Sequence, residues 1–273
     1  VEPLLSTREA ARLAGVGTTS VKRWADDGVL ECVKTAGGHR RFDRATLEHF
    51  LRSHGAPAAP DPRTRWLDLL VDGTAYELRA ALFEARGRLG AFHLVCDELG
   101  PAITELGARW ECGDVSVLEE HVASERVSRA LAHVTDALPA GEHGPSCLLA
   151  CAEGDDHTLG LSLAELCLRE AGWTTLWAGR RTPLSDLIGA VERGGLGMVA
   201  LSASTVSSNE KVVAAQARRI EAACRARGIA LALGGAGSWP DELGHARRFR
   251  AFQPFYDFAR TELERARRSS RLT

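Results

Sequence analysis

Residues 146–160 read Ser-Cys-Leu-Leu-Ala-Cys-Ala-Glu-Gly-Asp-Asp-His-Thr-Leu-Gly, and this stretch decides the fold class. The apolar run 147–151 has the length of a buried strand. It ends in Glu153-Gly154-Asp155-Asp156-His157, and a helical pattern of Leu159, Leu161, Leu163 and Leu166 follows at once. A loop between a strand's carboxyl end and a helix is where open α/β sheets bind ligands. Within it, Asp155 stands two residues before His157. A carboxylate so placed can accept a hydrogen bond from one imidazole nitrogen and leave the other for a metal. Gly160 lets the backbone pass close to a bulky ligand.

The pattern repeats downstream. Strand-like runs at 174–177, 198–201 and 229–233 alternate with helical stretches at 159–171, 183–193 and 208–227. Such alternation means βαβ units and a parallel sheet. A fifth strand is expected at 248–252 and a closing helix at 255–267, so residues 145–273 are expected to be flavodoxin-like, that is, Rossmann-like. Ser202, Ser204 and Thr205 fall at the end of the third strand, on the sheet edge that carries His157. Small hydroxyl residues there leave room for a ligand and can donate hydrogen bonds to it. Gly234-Gly235, at the end of the fourth strand, allows close backbone approach.

Residues 65–140 lack β-branched alternation and are rich in Leu, Ala, Glu and Arg. Apolar side chains recur at helical spacing from Trp66 to Val134, which predicts a four-helix bundle. Pro101 is expected to open one helix, running through Ile103 and Leu106 to Trp110. A break near Gly113-Asp114 precedes Glu120-His121. Upstream, residues 56–64 read Ala-Pro-Ala-Ala-Pro-Asp-Pro-Arg-Thr, the composition of a semi-stiff linker and a domain boundary.

Residues 1–55 form the last unit. Ser6 or Thr7 signals a capped helix, with Glu9 placed to reach back to Ser6. Gly15-Val16-Gly17 is a turn, and Thr18 starts a second helix that ends at Gly28. Two short helices around such a turn make a helix-turn-helix. On the second, Thr18, Thr19, Ser20, Lys22 and Arg23 form a polar side, whereas Val21 and Trp24 point inward. Extended runs around Gly37-Gly38 predict a hairpin. Its tip and return strand carry Lys34, His39, Arg40 and Arg41, which suit phosphate contact. Asp43 caps a third helix.

Charge supports this division weakly. Nine Lys and Arg face seven Asp and Glu in residues 1–55, and the remainder is net negative, so the front end suits a polyanion. Seven Cys without CxxC spacing argue against a disulfide framework and against a zinc site. The absence of a signal-like start or a long apolar span predicts a cytoplasmic protein with no membrane contact. No Walker loop, HExxH or serine elbow is present.

Three resemblances follow from these motifs. Leu-Ser-Thr-x-Glu-Ala-Ala, Ser-Val-Lys-Arg-Trp and Thr-Ala-Gly-Gly-His-Arg-Arg-Phe resemble the winged-helix head of MerR-type regulators. Asp155-x-His157-x-x-Gly160, with Ser202-Ala203-Ser204-Thr205 and Gly234-Gly235, resembles the signature of cobalamin-binding domains that place a protein His on cobalt. Trp110 followed by Glu120-His121 resembles the helical cap of the CarH/LitR type of cobalamin-dependent photoreceptors. Together they imply a light-responsive DNA-binding regulator, a repressor and not an enzyme, that uses adenosylcobalamin. His157 would be the lower axial cobalt ligand, and Trp110, Glu120 and His121 would cover the adenosyl group. The partners implied are operator DNA and further copies of the chain, dimer to tetramer in the dark. One departure stands out. Known members carry His directly after the Trp, whereas this chain has Glu111. That keeps open a cobalamin sensor indifferent to light, beside a cobalamin-binding subunit of a methyltransferase or mutase.

Overall fold

The first helix begins where its capping signal predicts. The Glu9 amide donates to the Ser6 hydroxyl at 3.3 Å, and the Ser6 amide donates to the Glu9 carboxylate at 2.8 Å. This reciprocal pair satisfies two amides the helix itself cannot. The structure, a computed structural model, describes residues 4–54, 61–139, 145–205, 209–240 and 243–270. It divides into two compact units, residues 1–78 with 101–126 and residues 79–100 with 127–273.

The first unit opens with β1 (Leu5–Ser6), α1 (Thr7–Ala14), α2 (Thr18–Asp26), β2 (Val33–Lys34), β3 (Arg40–Phe42) and α3 (Arg44–His54). The antiparallel sheet runs β1-β3-β2. The β2–β3 hairpin is the expected one, with Gly38 left-handed at φ 80° in its turn. β1 is an addition, since two residues ahead of a helix cap carry no periodicity to read. Ala10, Val21, Leu30, Phe42 and Leu47 form the core, with Trp24 against Phe50 at 5.0 Å between ring centroids. Asp43 accepts from the Thr46 amide at 2.9 Å, capping α3 as expected.

Helix α4 (Pro62–Asp72) corrects the linker's end. Pro62, Arg63 and Thr64 are helical, because Asp61 accepts from the Thr64 amide at 3.1 Å and a proline suits the first helical position. Residues 56–60 of the expected linker lie outside the described residues. Three more helices follow, α5 (Ala75–Leu89), α6 (Phe92–Glu111) and α7 (Val117–Asp136). The boundary between the units passes through each of them. Pro101 opens no new helix but sits inside α6. An interior proline removes one ladder hydrogen bond. Buried Leu99, Ala102 and Leu106 stay in phase on both sides of Pro101, so one apolar stripe holds the helix together. Among the described residues no helix is long and apolar enough to cross a membrane.

The second unit is built on a parallel sheet of β4 (Ser146–Cys151), β5 (Thr174–Gly179), β6 (Leu196–Ser202), β7 (Ala230–Gly234) and β8 (Ala246–Arg248). The order β5-β4-β6-β7-β8 is the flavodoxin-like one that was expected. Central β4 is buried almost throughout, as a continuous apolar run in a parallel sheet should be. Edge strand β5 leaves Leu176 and Trp177 exposed. Helices α8 (Leu159–Ala171), α9 (Leu184–Arg193), α10 (Glu210–Arg227) and α11 (Phe252–Ser270) connect and close the sheet. The chain end corrects the expectation of a strand at 248–252. The strand comes earlier, at 246–248, and Phe252 already begins α11. Asp97 accepts from the Phe252 amide at 2.7 Å and the Gln253 amide at 3.0 Å, a long-range cap that advances the helix. Trp173 is fully buried and donates from Nε1 to the Ala259 carbonyl at 3.0 Å.

Candidate functional site

β4 and β6 are neighbours whose connections leave to opposite sides, so the crevice at their carboxyl ends is the sheet's switch point. The loop after β4 lies there. Asp155 is fully buried, and its carboxylate accepts from two backbone amides, one after each strand end. Oδ1 accepts from the His157 amide at 2.9 Å and faces His157 Nδ1 at 3.0 Å. Oδ2 accepts from the Ser204 amide, at the end of β6. The Ser204 hydroxyl is 3.1 Å from His157 Nδ1. The ring itself is about half exposed, at 52%. A buried acid thus anchors one edge of an imidazole whose body reaches solvent. With Nδ1 held this way, a metal would be taken through Nε2.

The groups around the imidazole are weaker candidates for a metal. Cys151 donates to the His157 carbonyl at 3.6 Å, and burial, aided by nearby Asp155, pushes its thiol up to about 12. It therefore remains a thiol and competes poorly for a metal. Asp156 is held below the usual carboxylate range by Arg181, which grips it at 2.8 and 2.6 Å. Arg181 has φ 58°, the left-handed region that a non-glycine seldom adopts. Neither the Arg181 clasp nor the Gln216 side chain, which accepts from the Glu153 amide at 2.8 Å, had a signal in the local sequence.

The remaining loop residues separate into two kinds. Gly160 faces Ser202, and a Cβ there would lie 3.3 Å from the Ser202 hydroxyl. Its missing side chain keeps that wall shallow. Ser202 is buried and Thr205 exposed. Gly235 has a reason to be glycine within the fold itself, beside the expected approach to a ligand. Its φ is 83°, and a Cβ would strike the Ala203 carbonyl oxygen at 2.2 Å. Gly234 meets nothing closer than 3.9 Å, and its carbonyl accepts from the Ala203 amide. Gly235 thus serves the close approach of the chain after β7 to the end of β6, and Gly234 is under no such constraint.

In the first unit, Trp110 lies one residue before the end of α6 and is 37% exposed. Beyond the turn at Gly113, Ser116 and Glu119 form a capping box for α7. Glu120 accepts from the Ser124 hydroxyl at 2.5 Å and lies 3.6 Å from His121 Nε2. Val117, Leu118 and Val122 are exposed beside them in sequence.

The head places its expected nucleic-acid residues unevenly. Lys34 and His39 are exposed on the hairpin. Arg40 is half-buried and paired with Asp26 at 2.6 Å, and Arg41 donates to the Arg40 carbonyl at 3.2 Å. The polar side of α2 is not the open surface that the sequence predicts. Thr19 and Ser20 are buried at 4% and 3%. Thr18 and Ser20 donate to Asp72 and Asp68 of α4. Lys22 reaches the Asp114 carbonyl, and Arg23 reaches Asp61 and Thr64.

Comparison with known proteins bears on both sites. Residues 4–55 match a family described as "Helix-turn-helix domain", and residues 63–135 match one described as "B12 binding domain". The chain is 38% identical over 108 residues to the HTH-type transcriptional repressor CarA of Myxococcus xanthus, covering 39% of this chain and 36% of that protein. A solved structure of the Methanosarcina barkeri monomethylamine corrinoid protein superposes with a TM-score of 0.55 at 16% identity, over 72% of this chain and 96% of that one. That likeness concerns the fold alone. The HTH-type transcriptional repressor CarH of Myxococcus xanthus is 30% identical over 218 residues, 67% of this chain and 73% of that protein. At that identity, and with most of the relative's length covered, the chain belongs to the family of the HTH-type transcriptional repressor CarH.

Proposed function

We propose that this protein is a DNA-binding transcription regulator, a repressor, that takes adenosylcobalamin and responds to light. The observation that carries the reading is Asp155 behind His157: a fully buried acid orienting a half-exposed imidazole at the sheet's switch point. The residues fit the group. An imidazole suits cobalt, and the shallow wall at Gly160 and Ser202 suits a large ligand. His157 would hold the lower face through Nε2, with Asp155 fixing the tautomer and ring angle. Ser202, Ser204 and Thr205 would donate to the ligand's polar tail. Trp110, Glu120 and His121 would form the cap that the family resemblance implies, and the exposed apolar residues of their own unit support this. When bound, adenosylcobalamin supplies a cobalt centre that absorbs visible light and a cobalt–carbon bond that light can break.

The chain's own contribution is positioning and readout. α2 and the hairpin would meet operator DNA, with Lys34, His39, Arg40 and Arg41 on phosphate. A small head binds weakly alone, so linking several in a dark homo-oligomer, dimer to tetramer, would supply the affinity. No enzymatic step is part of this reading, and the place of action is the cytoplasm. The test is one preparation of the full chain with adenosylcobalamin, kept dark and then lit with green light. Absorbance, particle size and DNA binding are followed together. Loss of assembly and of DNA binding on illumination is expected; a colourless protein would overturn the cofactor reading. Glu111, exposed where relatives of this type are expected to carry His, favours a second reading, a cobalamin sensor indifferent to light. In that case cofactor would change size or DNA binding and light would not.

A further inference from the structure

Asp61, Asp68 and Asp72 are spaced seven and four apart, so they share one face of α4 and its cap. That acidic face lies on the N-terminal half of α2. The Thr18 amide, at the first turn of α2, donates to Asp72 at 3.2 Å, and the Thr18 hydroxyl donates to it at 2.5 Å. The Ser20 hydroxyl reaches Asp68 at 3.3 Å. Arg23 reaches Asp61 at 3.4 Å and the Thr64 hydroxyl at 3.1 Å. Lys22 donates to the Asp114 carbonyl at 3.1 Å. A helix N-terminus with open amides and cationic side chains is what a phosphate backbone would occupy. Carboxylates hold that place here. Gly17 makes the approach this close: a Cβ there would lie 2.0 Å from the Asp68 carboxylate carbon. Its φ is −76°, so the backbone itself would accept alanine.

We propose that α4 acts as an internal competitor for DNA: Asp61, Asp68 and Asp72 occupy the reading face of α2, and the head binds a duplex only after α4 has let go. The inference rests on the DNA-binding reading given above. The closed head lowers apparent affinity by the fraction of molecules that are open, and any event that displaces α4 raises it. Asp68 is the centre of the contact. Burial raises its pKa above the usual carboxylate range, while hydrogen bonds from Thr19 and Ser20 oppose that rise.

Two full-length variants test this by different means. Gly17→Ala adds a methyl that the Asp68 side chain must vacate, with no change in charge. Asp68→Asn combined with Asp72→Asn weakens the acceptors while keeping their shape. Glu192→Gln combined with Glu264→Gln removes the same charge from exposed positions in the other unit and serves as control. The probe is a random-sequence duplex pool at one low salt concentration. Amide exchange of residues 18–21 is followed without DNA. Both test variants should exchange faster over 18–21 and bind the duplex about tenfold or more tighter, with the control near the parent. Parent-like duplex affinity in both variants, or a control that gains as much, overturns the competitor. If no chain, parent included, binds the duplex even with 18–21 exchanging fast, the DNA-binding reading fails, and the competitor fails with it.

Discussion

Aspartate does opposite work in two regions of this molecule. In the loop after β4, Asp155 is completely buried behind His157 and presents the ring to solvent. On α4, Asp68 and Asp72 lie in front of Thr18 and Ser20 and cover them. The same carboxylate acceptor leaves one polar group open to solvent and covers the others. The difference is one of side. An acid behind a side chain constrains its rotamer and tautomer, whereas an acid in front takes the hydrogen bonds that a partner would take.

The contrast can be broken most directly at the loop. His157→Ala should abolish the nitrogen-coordinated absorbance of bound adenosylcobalamin, and Asp155→Asn should weaken cofactor affinity by about 10–100-fold. Titration of the apoprotein followed by absorbance reads both. An unchanged spectrum in His157→Ala would remove the lower-ligand role. A parent-like affinity in Asp155→Asn would mean that the buried acid supports only the fold.

The frame behind Asp155 is the next place to press. Gly235→Ala forces φ 83° on an alanine and drives its Cβ into the Ala203 carbonyl, next to Ser204. A loss of about 1–3 kcal/mol is expected from such backbone strain. Thermal unfolding checks it, and a Tm equal to the parent's would show that the loop end of β7 adjusts freely.

The head offers a smaller effect. Arg41→Ala should weaken DNA binding across sequences and reduce the salt slope by about 1, as loss of one phosphate contact does. Salt titration of duplex binding separates this from release of α4, which should change affinity with the slope kept. The smallest effect is in acid. Glu9 is held below its ordinary value of 4.5, chiefly by the Ser6 amide, and Glu119 likewise by the Ser116 amide. Their capping contribution is therefore present above pH 4.5 and lost as pH falls through the lower folded values. Stability measured from pH 6 downward should decline there, and Glu9→Gln should flatten the decline slightly.

How much was legible follows the distance over which each feature is decided. The Ser6–Glu9 box, the Asp43 cap, the hairpin at Gly38 and the Asp155–His157 pair span two to four residues, and each stands as the local pattern predicts. The parallel sheet order followed from alternation alone, because short right-handed connections leave few alternatives. Pro101 misled because a proline is read as a helix start from its own geometry. Whether a helix runs through it depends on the apolar stripe at Leu99, Ala102 and Leu106. The early start of α11 depends on Asp97, 155 residues from Phe252 in sequence.

By itself the sequence determined the local pairing in the loop: an acid two residues before an imidazole, at the end of a strand, is close enough to hold one ring nitrogen. It also determined the head's three helices and hairpin and their order, but not β1. Only the tertiary structure decided that Ser204, 49 residues away, completes the Asp155 cluster, and that α2 shows Thr18, Ser20 and Arg23 to carboxylates. The physical reason is reach. Hydrogen bonds within a turn are dictated by backbone periodicity. Those between distant segments exist only once burial of the surrounding apolar side chains has brought the segments together.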